Sequence, residues 1–323
     1  MAERKEYLEQ LKAWKDEQVI KVVTGIRRCG KSTLLSQYQQ QLKTTGITDE
    51  QIVSVNFEEL EYEELLDYRK LYSYLKERLC AEKTTYIFLD EIQKVPFFEK
   101  VVDSLYVKPN VDIYIIGSNA YMLSGDLATL LTGRYVEIKM LPLSFREFLC
   151  ITGMDAERGL AEYLRDGGLP YIAVMDRTAG KVEIYLEGIY NTVIVKDIED
   201  RQARKESNPD KRKITDILPR RQYDLGFSLE NIVYFELLRR GYRVMIGKVG
   251  STEVDFVAEK QGVYVYFQVT ADMTAQETFE RELRPLTLIR DNYEKIVLTN
   301  DRLTLGNYNG IQVKNLTDWL LHI

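Results

Sequence analysis

The chain holds one histidine, His322, and three cysteines, Cys29, Cys80 and Cys150, among its 323 residues. A single imidazole, second from the C-terminus, excludes a multi-histidine metal centre and argues against a Ser-His-Asp triad. The cysteines are odd in number and form no CxxC, which speaks against a zinc knuckle or a disulfide framework. No apolar run approaches the ~20 residues that a membrane-spanning helix needs. The opening MAERKEYLEQLKAWKDE is charged throughout and lacks the apolar core of a signal peptide, so the expected location is cytoplasmic, away from any membrane. Positive charge is short as well: 44 Lys+Arg stand against 50 Asp+Glu, a net charge of −6. Binding to a nucleic acid would therefore need a local basic patch, because the overall field repels phosphate.

What is present is ordinary for a folded chain, with 45% hydrophobic and 29% charged residues. The length exceeds most single cores and predicts two domains. Val19–Thr24, Ile52–Phe57, Tyr86–Leu89, Val111–Ile116 and Tyr135–Ile138 read as short buried strands, and Ser32–Leu42 as a helix. Apolar strands alternating with helices predict an α/β fold with a parallel sheet covered on both faces. Residues 144–200 carry a helical pattern broken at Gly167-Gly168-Leu169-Pro170. A linker follows at 201–222, within a stretch from Lys196 to Arg221 that holds nine basic and six acidic residues, a net of about +3 and a weak nucleic-acid footprint. A second α/β unit spans 223–323, with a helix ending near Arg240, strands near 242–247, 253–258 and 263–269, a helix near 275–290 and a strand at Lys295–Thr299.

Gly25-Ile26-Arg27-Arg28-Cys29-Gly30-Lys31-Ser32, with Thr33 next, fits the phosphate-loop pattern GxxxxGK[ST] between a buried-type strand and a helix. Glycines let such a loop wrap close to phosphate with its N–H groups turned inward, and the following helix N-terminus adds positive partial charge there. Lys31 would reach the β- and γ-phosphates, and Ser32 would give its hydroxyl to Mg²⁺. Downstream, Tyr86–Leu89 ends in Asp90-Glu91. Asp90 would hold Mg²⁺ through water, and Glu91 would orient and deprotonate the attacking water; the alternative is an acidic start to a solvated helix. Asn119, or Ser118 beside it, follows a strand end where open sheets place their ligands, though Gly117-Ser118-Asn119 also suits a turn. Arg134 opens a strand and would either stabilise transition-state charge or form a surface salt bridge. The acidic run from Glu58 reads as a solvated face, and Cys29 either makes the loop oxidation-sensitive or is simply a small loop residue.

The stretches GIRRCGKSTLL, FLDEIQKV, GSNAYMLSGDLATLLTGRYVEIKMLPLSFREFL and GGLPYIAVM together resemble a family of bacterial and archaeal AAA+ ATPases whose core is joined to a C-terminal region with a restriction-endonuclease-like fold. The segment from Ser228 to Thr270 resembles that C-terminal region. The resemblance implies an ATPase core over 1–143, a helical lid over 144–200, ATP and Mg²⁺ as ligands, Asn119 as a sensor-type residue and Arg134 as an arginine finger. A homo-oligomer and a protein or DNA partner are further options.

Two departures stand out. Relatives of this kind usually carry a winged-helix segment before the nuclease-like part, but here Lys211–Ile217 runs almost directly into Leu218–Tyr223 and leaves no room for it. The second departure concerns the metal-binding pattern such nucleases carry. Glu230, Asp255 and Gln268 match its first positions, yet Thr270 stands where a lysine is expected; without that cation the attacking water lacks an activator. Glu253 shares a strand face with Asp255. The sequence therefore predicts an Mg²⁺-dependent ATPase with a nuclease-like relic; the rivals are an ATP-gated endonuclease or DNA-binding protein, and a nucleotide switch without turnover.

Overall fold

The computed structural model describes residues 3–117, 131, 133–177, 180–189 and 225–322. Contacts divide the chain into two units, Met1–Pro142 with Leu169–Pro209, and Leu143–Gly168 with Asp210–Ile323.

The first unit runs α1 (Lys5–Ala13), β1 (Ile20–Gly25), α2 (Lys31–Thr44), β2 (Ile52–Asn56), α3 (Tyr68–Glu77), β3 (Thr85–Asp90), α4 (Phe98–Tyr106), β4 (Val111–Ile116) and β5 (Tyr135–Met140). The strands form one parallel sheet in the order β2-β3-β4-β1-β5. The expected parallel α/β sheet is thus present. Its central strands are buried on both faces because alternate side chains feed two cores. Ile20, Val22, Ile87, Leu89, Ile113 and Ile115 pack with Leu71, Leu75, Val101 and Leu105 of α3 and α4. Val23, Tyr86, Phe88, Tyr114 and Ile116 pack instead with Leu8 and Leu11 of α1 and Leu34, Leu35 and Tyr38 of α2.

The segment expected as a single lid is divided between the units. Its first helices, α5 (Phe145–Thr152) and α6 (Ala156–Asp166), belong to the second unit, whereas α7 (Pro170–Val174) and α8 (Lys181–Ile189) belong to the first. The break falls at Gly167-Gly168. The Gly168 carbonyl accepts a 2.7 Å bond from the Leu143 N–H, and the Tyr163 hydroxyl donates 2.5 Å to the Leu143 carbonyl. These bonds close α5 and α6 into a hairpin, which Phe145, Phe148 and Tyr163 fill with ring contacts.

The rest of the second unit is α9 (Leu225–Arg239), β6 (Arg243–Val249), β7 (Thr252–Lys260), β8 (Val263–Thr270), α10 (Gln276–Thr287), β9 (Glu294–Thr299), β10 (Gly306–Tyr308), β11 (Ile311–Asn315) and α11 (Leu316–Leu321). Its sheet has the order β10-β11-β9-β8-β7-β6, with an antiparallel meander β6–β8 followed by parallel pairing of β8, β9 and β11. The final hairpin and α11 lie beyond the last strand expected from sequence. Ile311 and Val313 alternate with polar residues and are buried, so the signal was the period of two in a very short strand. Asn119, Ser118 and the linker 201–222 lie outside the described residues. No described helix is long and apolar enough to cross a membrane.

Candidate functional site

Parallel pairing brings the carboxyl ends of β1 and β3 to one edge of the sheet. Val23 and Asp90 both pair with Ile116 of the intervening β4, so the loop after β1 and the acid pair after β3 leave the sheet at the same level. The loop itself is shaped by its glycines. Gly25 has φ +151°, and a Cβ there would lie 2.4 Å from the Met140 carbonyl oxygen. Gly30 has φ +96° and sits at the cap position of α2, whose first turn receives no side-chain cap. Uncapped N–H groups at a helix start are what an anion requires. Arg4, ahead of α1, is buried and braces the loop: its guanidinium donates to the Cys29 carbonyl at 3.3 Å and to the Leu141 carbonyl at 2.9 Å.

Lys31 is buried and turned back on its own loop, donating to the carbonyls of Gly25 (2.9 Å) and Ile26 (3.1 Å). Ile26, Arg27 and Arg28 are exposed. The Cys29 side chain is fully buried, and burial pushes its thiol pKa up. The reactive thiolate is disfavoured there, which tells against the oxidation-sensitive reading.

The Ser32 side chain and the Glu91 N–H lie close enough to the Asp90 carboxylate to pull its pKa down. Asp90 Oδ1 is buried and has no hydrogen-bond partner. An orphaned carboxylate oxygen beside a serine hydroxyl is a donor set that suits a hard divalent cation. Burial pushes the Asp90 carboxyl up, against the pull of Ser32 and Lys31. Glu91 is raised too, by burial first and then by the neighbouring negative charges of Asp90 and Glu58. Glu91 has a left-handed backbone (φ 55°) and accepts a hydrogen bond from the Gln93 side chain. Three contributors escape a reading by motif: Arg4, Gln93 and Glu58, the last hidden in a run that looks like a plain acidic surface.

Arg134 stands elsewhere. Tyr135 pairs with Ile20 and Met140 with Gly25, so Arg134 is at the opposite end of the strands, about 20 Å from the β1–α2 loop at ~3.3 Å per residue. It bridges to Asp103 at 3.1 Å and lies over the Tyr106 ring. The surface-salt-bridge reading therefore describes its place within its own chain.

In the second unit, Gln268 Nε2 donates to Asp255 Oδ1 at 3.0 Å and the Val269 N–H donates to Asp255 Oδ2 at 2.7 Å. Burial, with Glu230, Glu282 and Glu253 nearby, pushes the Asp255 carboxyl up to about 7. Among the described residues no group of three or more His, Cys, Asp or Glu side chains could hold a metal ion. The candidate residues meet, but as a hydrogen-bonded carboxyl in acidic surroundings.

The AAA domain profile matches residues 17–149, from the start of β1 through the acid pair and β5. An uncharacterised protein of Haemophilus influenzae is 35% identical, with 99% of each chain covered. That match runs over 400 positions, so at least 77 of them (400 less 323) have no counterpart here. The uncharacterised protein MJ1544 of Methanocaldococcus jannaschii is 31% identical over 54% of this chain, and the match spans 42% of its own length. Among solved structures, the Walker-type ATPase of Pyrococcus abyssi is 18% identical, with 78% of this chain and 86% of that one covered at a TM-score of 0.37. PCH-2 of C. elegans is 15% identical over 55% of this chain and 49% of that one, at a TM-score of 0.35. The superpositions are loose, and the assignment rests on the sequence matches. The chain carries an AAA-type ATPase domain and belongs to the same family as the uncharacterised Haemophilus influenzae protein.

Proposed function

We propose that this protein binds and hydrolyses ATP with Mg²⁺ on the edge formed by the β1–α2 loop and the end of β3. The observation that carries this reading is the meeting of Ser32 with Asp90 beside the uncapped start of α2, with one Asp90 oxygen buried and unpartnered. The N–H groups of the loop from Gly25 to Thr33 would cradle the phosphates. Lys31 would leave the Gly25 and Ile26 carbonyls for the β- and γ-phosphates. Ser32 and Asp90 would hold Mg²⁺, which when bound neutralises charge on the phosphate oxygens. Glu91, held by Gln93, would orient a water and take its proton as the water oxygen attacks the γ-phosphorus and the bond to the ADP oxygen breaks. A carboxylate with raised proton affinity accepts that proton more readily. Asn119 is proposed to position the γ-phosphate or the water.

Lys31→Ala is expected to abolish ATP binding measured by calorimetry. Glu91→Gln should keep binding and lose phosphate release by about 10²-fold or more. Unchanged release in Glu91→Gln would remove that residue from its role, and wild-type binding without turnover would favour a nucleotide switch.

For the second unit, we propose a nuclease-like arrangement without cleavage. The helix–meander–helix–strand order and the position of Asp255 beside Gln268 support the likeness, while Thr270 and the acidic surroundings of Asp255 speak against hydrolysis. The match to the Haemophilus influenzae protein leaves 77 or more positions without a counterpart here, and we propose that a winged-helix segment is among them. Supercoiled plasmid incubated with Mg²⁺ or Mn²⁺ and ATP should remain intact; nicking that vanishes in Asp255→Ala would establish the endonuclease instead. A protein or DNA partner and a cytoplasmic location complete the proposal.

A further inference from the structure

Helices α7 and α8 carry aromatic residues that phosphate transfer does not use, and both reach the loop at Gly25–Ser32 within the same unit. Pro170 Cγ is 3.7 Å from the point where a side chain on Gly30 would begin. One residue further, the Tyr171 ring meets the Tyr185 ring at 4.9 Å between centroids, tilted by 48°. Tyr185 in turn is clasped by the loop: Arg28 Nη1 donates to its hydroxyl at 3.1 Å, and the guanidinium lies 5.4 Å from its ring centre. Arg28 holds a left-handed backbone (φ 65°) that a side chain rarely adopts without a fixed environment. Tyr171 remains 54% exposed, so a large aromatic face stands open to solvent beside a loop built for phosphate. Core packing accounts for neither the exposure nor the pairing with a loop arginine.

We infer that Tyr171 and Tyr185 form the stacking platform for the nucleobase of a nucleotide whose phosphates lie on the Gly25–Ser32 loop, with Arg28 as the residue that fixes Tyr185 in place. The inference rests on the phosphate-loop reading above and adds to it the side chains that recognise a base. Stacking on a tyrosine face is tolerant of base identity, so the platform would favour nucleotides over bare polyphosphate more than it would favour adenine over guanine.

The test compares two probes on the full chain: ADP, which carries a base, and inorganic tripolyphosphate, which does not. Tyr171→Ala should weaken ADP binding about tenfold while leaving tripolyphosphate binding within about twofold. Tyr171→Phe keeps the ring and should restore ADP affinity. Tyr185→Phe removes only the bond to Arg28, and it should weaken ADP more than tripolyphosphate if the tether orients the ring. A nucleoside triphosphate of 2-aminopurine should lose fluorescence on binding wild type and keep it on binding Tyr171→Ala. Thermal melting of each variant separates loss of the platform from loss of the fold. Equal effects on both probes, or no effect on either, would overturn the platform. Tripolyphosphate binding that survives Lys31→Ala would instead overturn the phosphate-loop reading beneath it.

Discussion

At Asp255 the carboxyl accepts two hydrogen bonds and yet holds its proton far more tightly than an ordinary aspartate, because burial and the charges of Glu230, Glu282 and Glu253 outweigh the Val269 N–H. The sign of the consequence follows from linkage. The folded chain keeps this proton up to about pH 7, whereas the unfolded chain releases it near ~3.9. Between those values the folded state binds more protons, so rising pH costs stability, on the order of 4 kcal/mol at the most. Asp255→Asn is expected to flatten that slope and to exceed wild type by about 1–3 kcal/mol above pH 7. Urea unfolding at pH 5 and pH 8 measures it, and an equal pH response in both proteins would remove Asp255 as the cause. The β1–α2 loop shows residue-scale logic of another kind. Gly25 and Gly30 were legible as glycines that a wrapped loop needs, but the reason Gly25 tolerates nothing larger is the Met140 carbonyl 2.4 Å from where a Cβ would sit. That carbonyl is 115 residues away in sequence (140 less 25) and invisible to a motif.

Among the elements, β1 is the most constrained. It read as a buried strand although it contains Lys21, and the structure buries that lysine completely, paired with Asp112 of β4 at 2.6 Å. Lys21 also donates to the Glu17 carbonyl, and Asp112 accepts from the Tyr114 hydroxyl and the Asp16 N–H. Removing one partner leaves an uncompensated charge in the sheet. Asp112→Ala should therefore destabilise the first unit by about 3–5 kcal/mol, and the Lys21→Met, Asp112→Leu double variant by clearly less. Denaturant titration of the three proteins checks the order, and a double variant as damaged as the single would show that the pair itself, not the unpaired charge, matters. The elements missed from sequence share a physical reason. Helix α3 lies in a stretch dense with charge and tyrosine, and β10 and β11 are too short for periodicity to stand out. All of them acquire their identity from the sheet they cover or extend.

For the whole molecule, the question is what completes the proposed ATP site. Arg134 cannot reach its own loop from the far end of β5, where it is held by Asp103. If it serves as an arginine finger, it serves a neighbouring copy, and turnover then depends on assembly. Arg134→Ala and Glu91→Gln should each lose most phosphate release when assayed alone. Mixed in equal amounts, they should regain a measurable part of it, because some interfaces then join an intact Arg134 to an intact Glu91. Mixtures no more active than the separate proteins, with exchange of subunits shown by light scattering, would confine Arg134 to its salt bridge.

The amino-acid sequence alone determined the glycine-flanked loop between β1 and α2, the acid pair after β3, the parallel α/β character and a second α/β unit, because glycine spacing, terminal carboxylates and runs of buried-type residues are local signals. Tertiary structure decided what those signals could not carry. It put Asp90 near Ser32 across an intervening strand, sent Arg134 to the end of the sheet opposite the β1–α2 loop, and parted the expected lid at Gly167-Gly168. The physical reason is common to all three. Strand order and packing join residues that are far apart along the chain, and no local propensity encodes which strand will lie beside which.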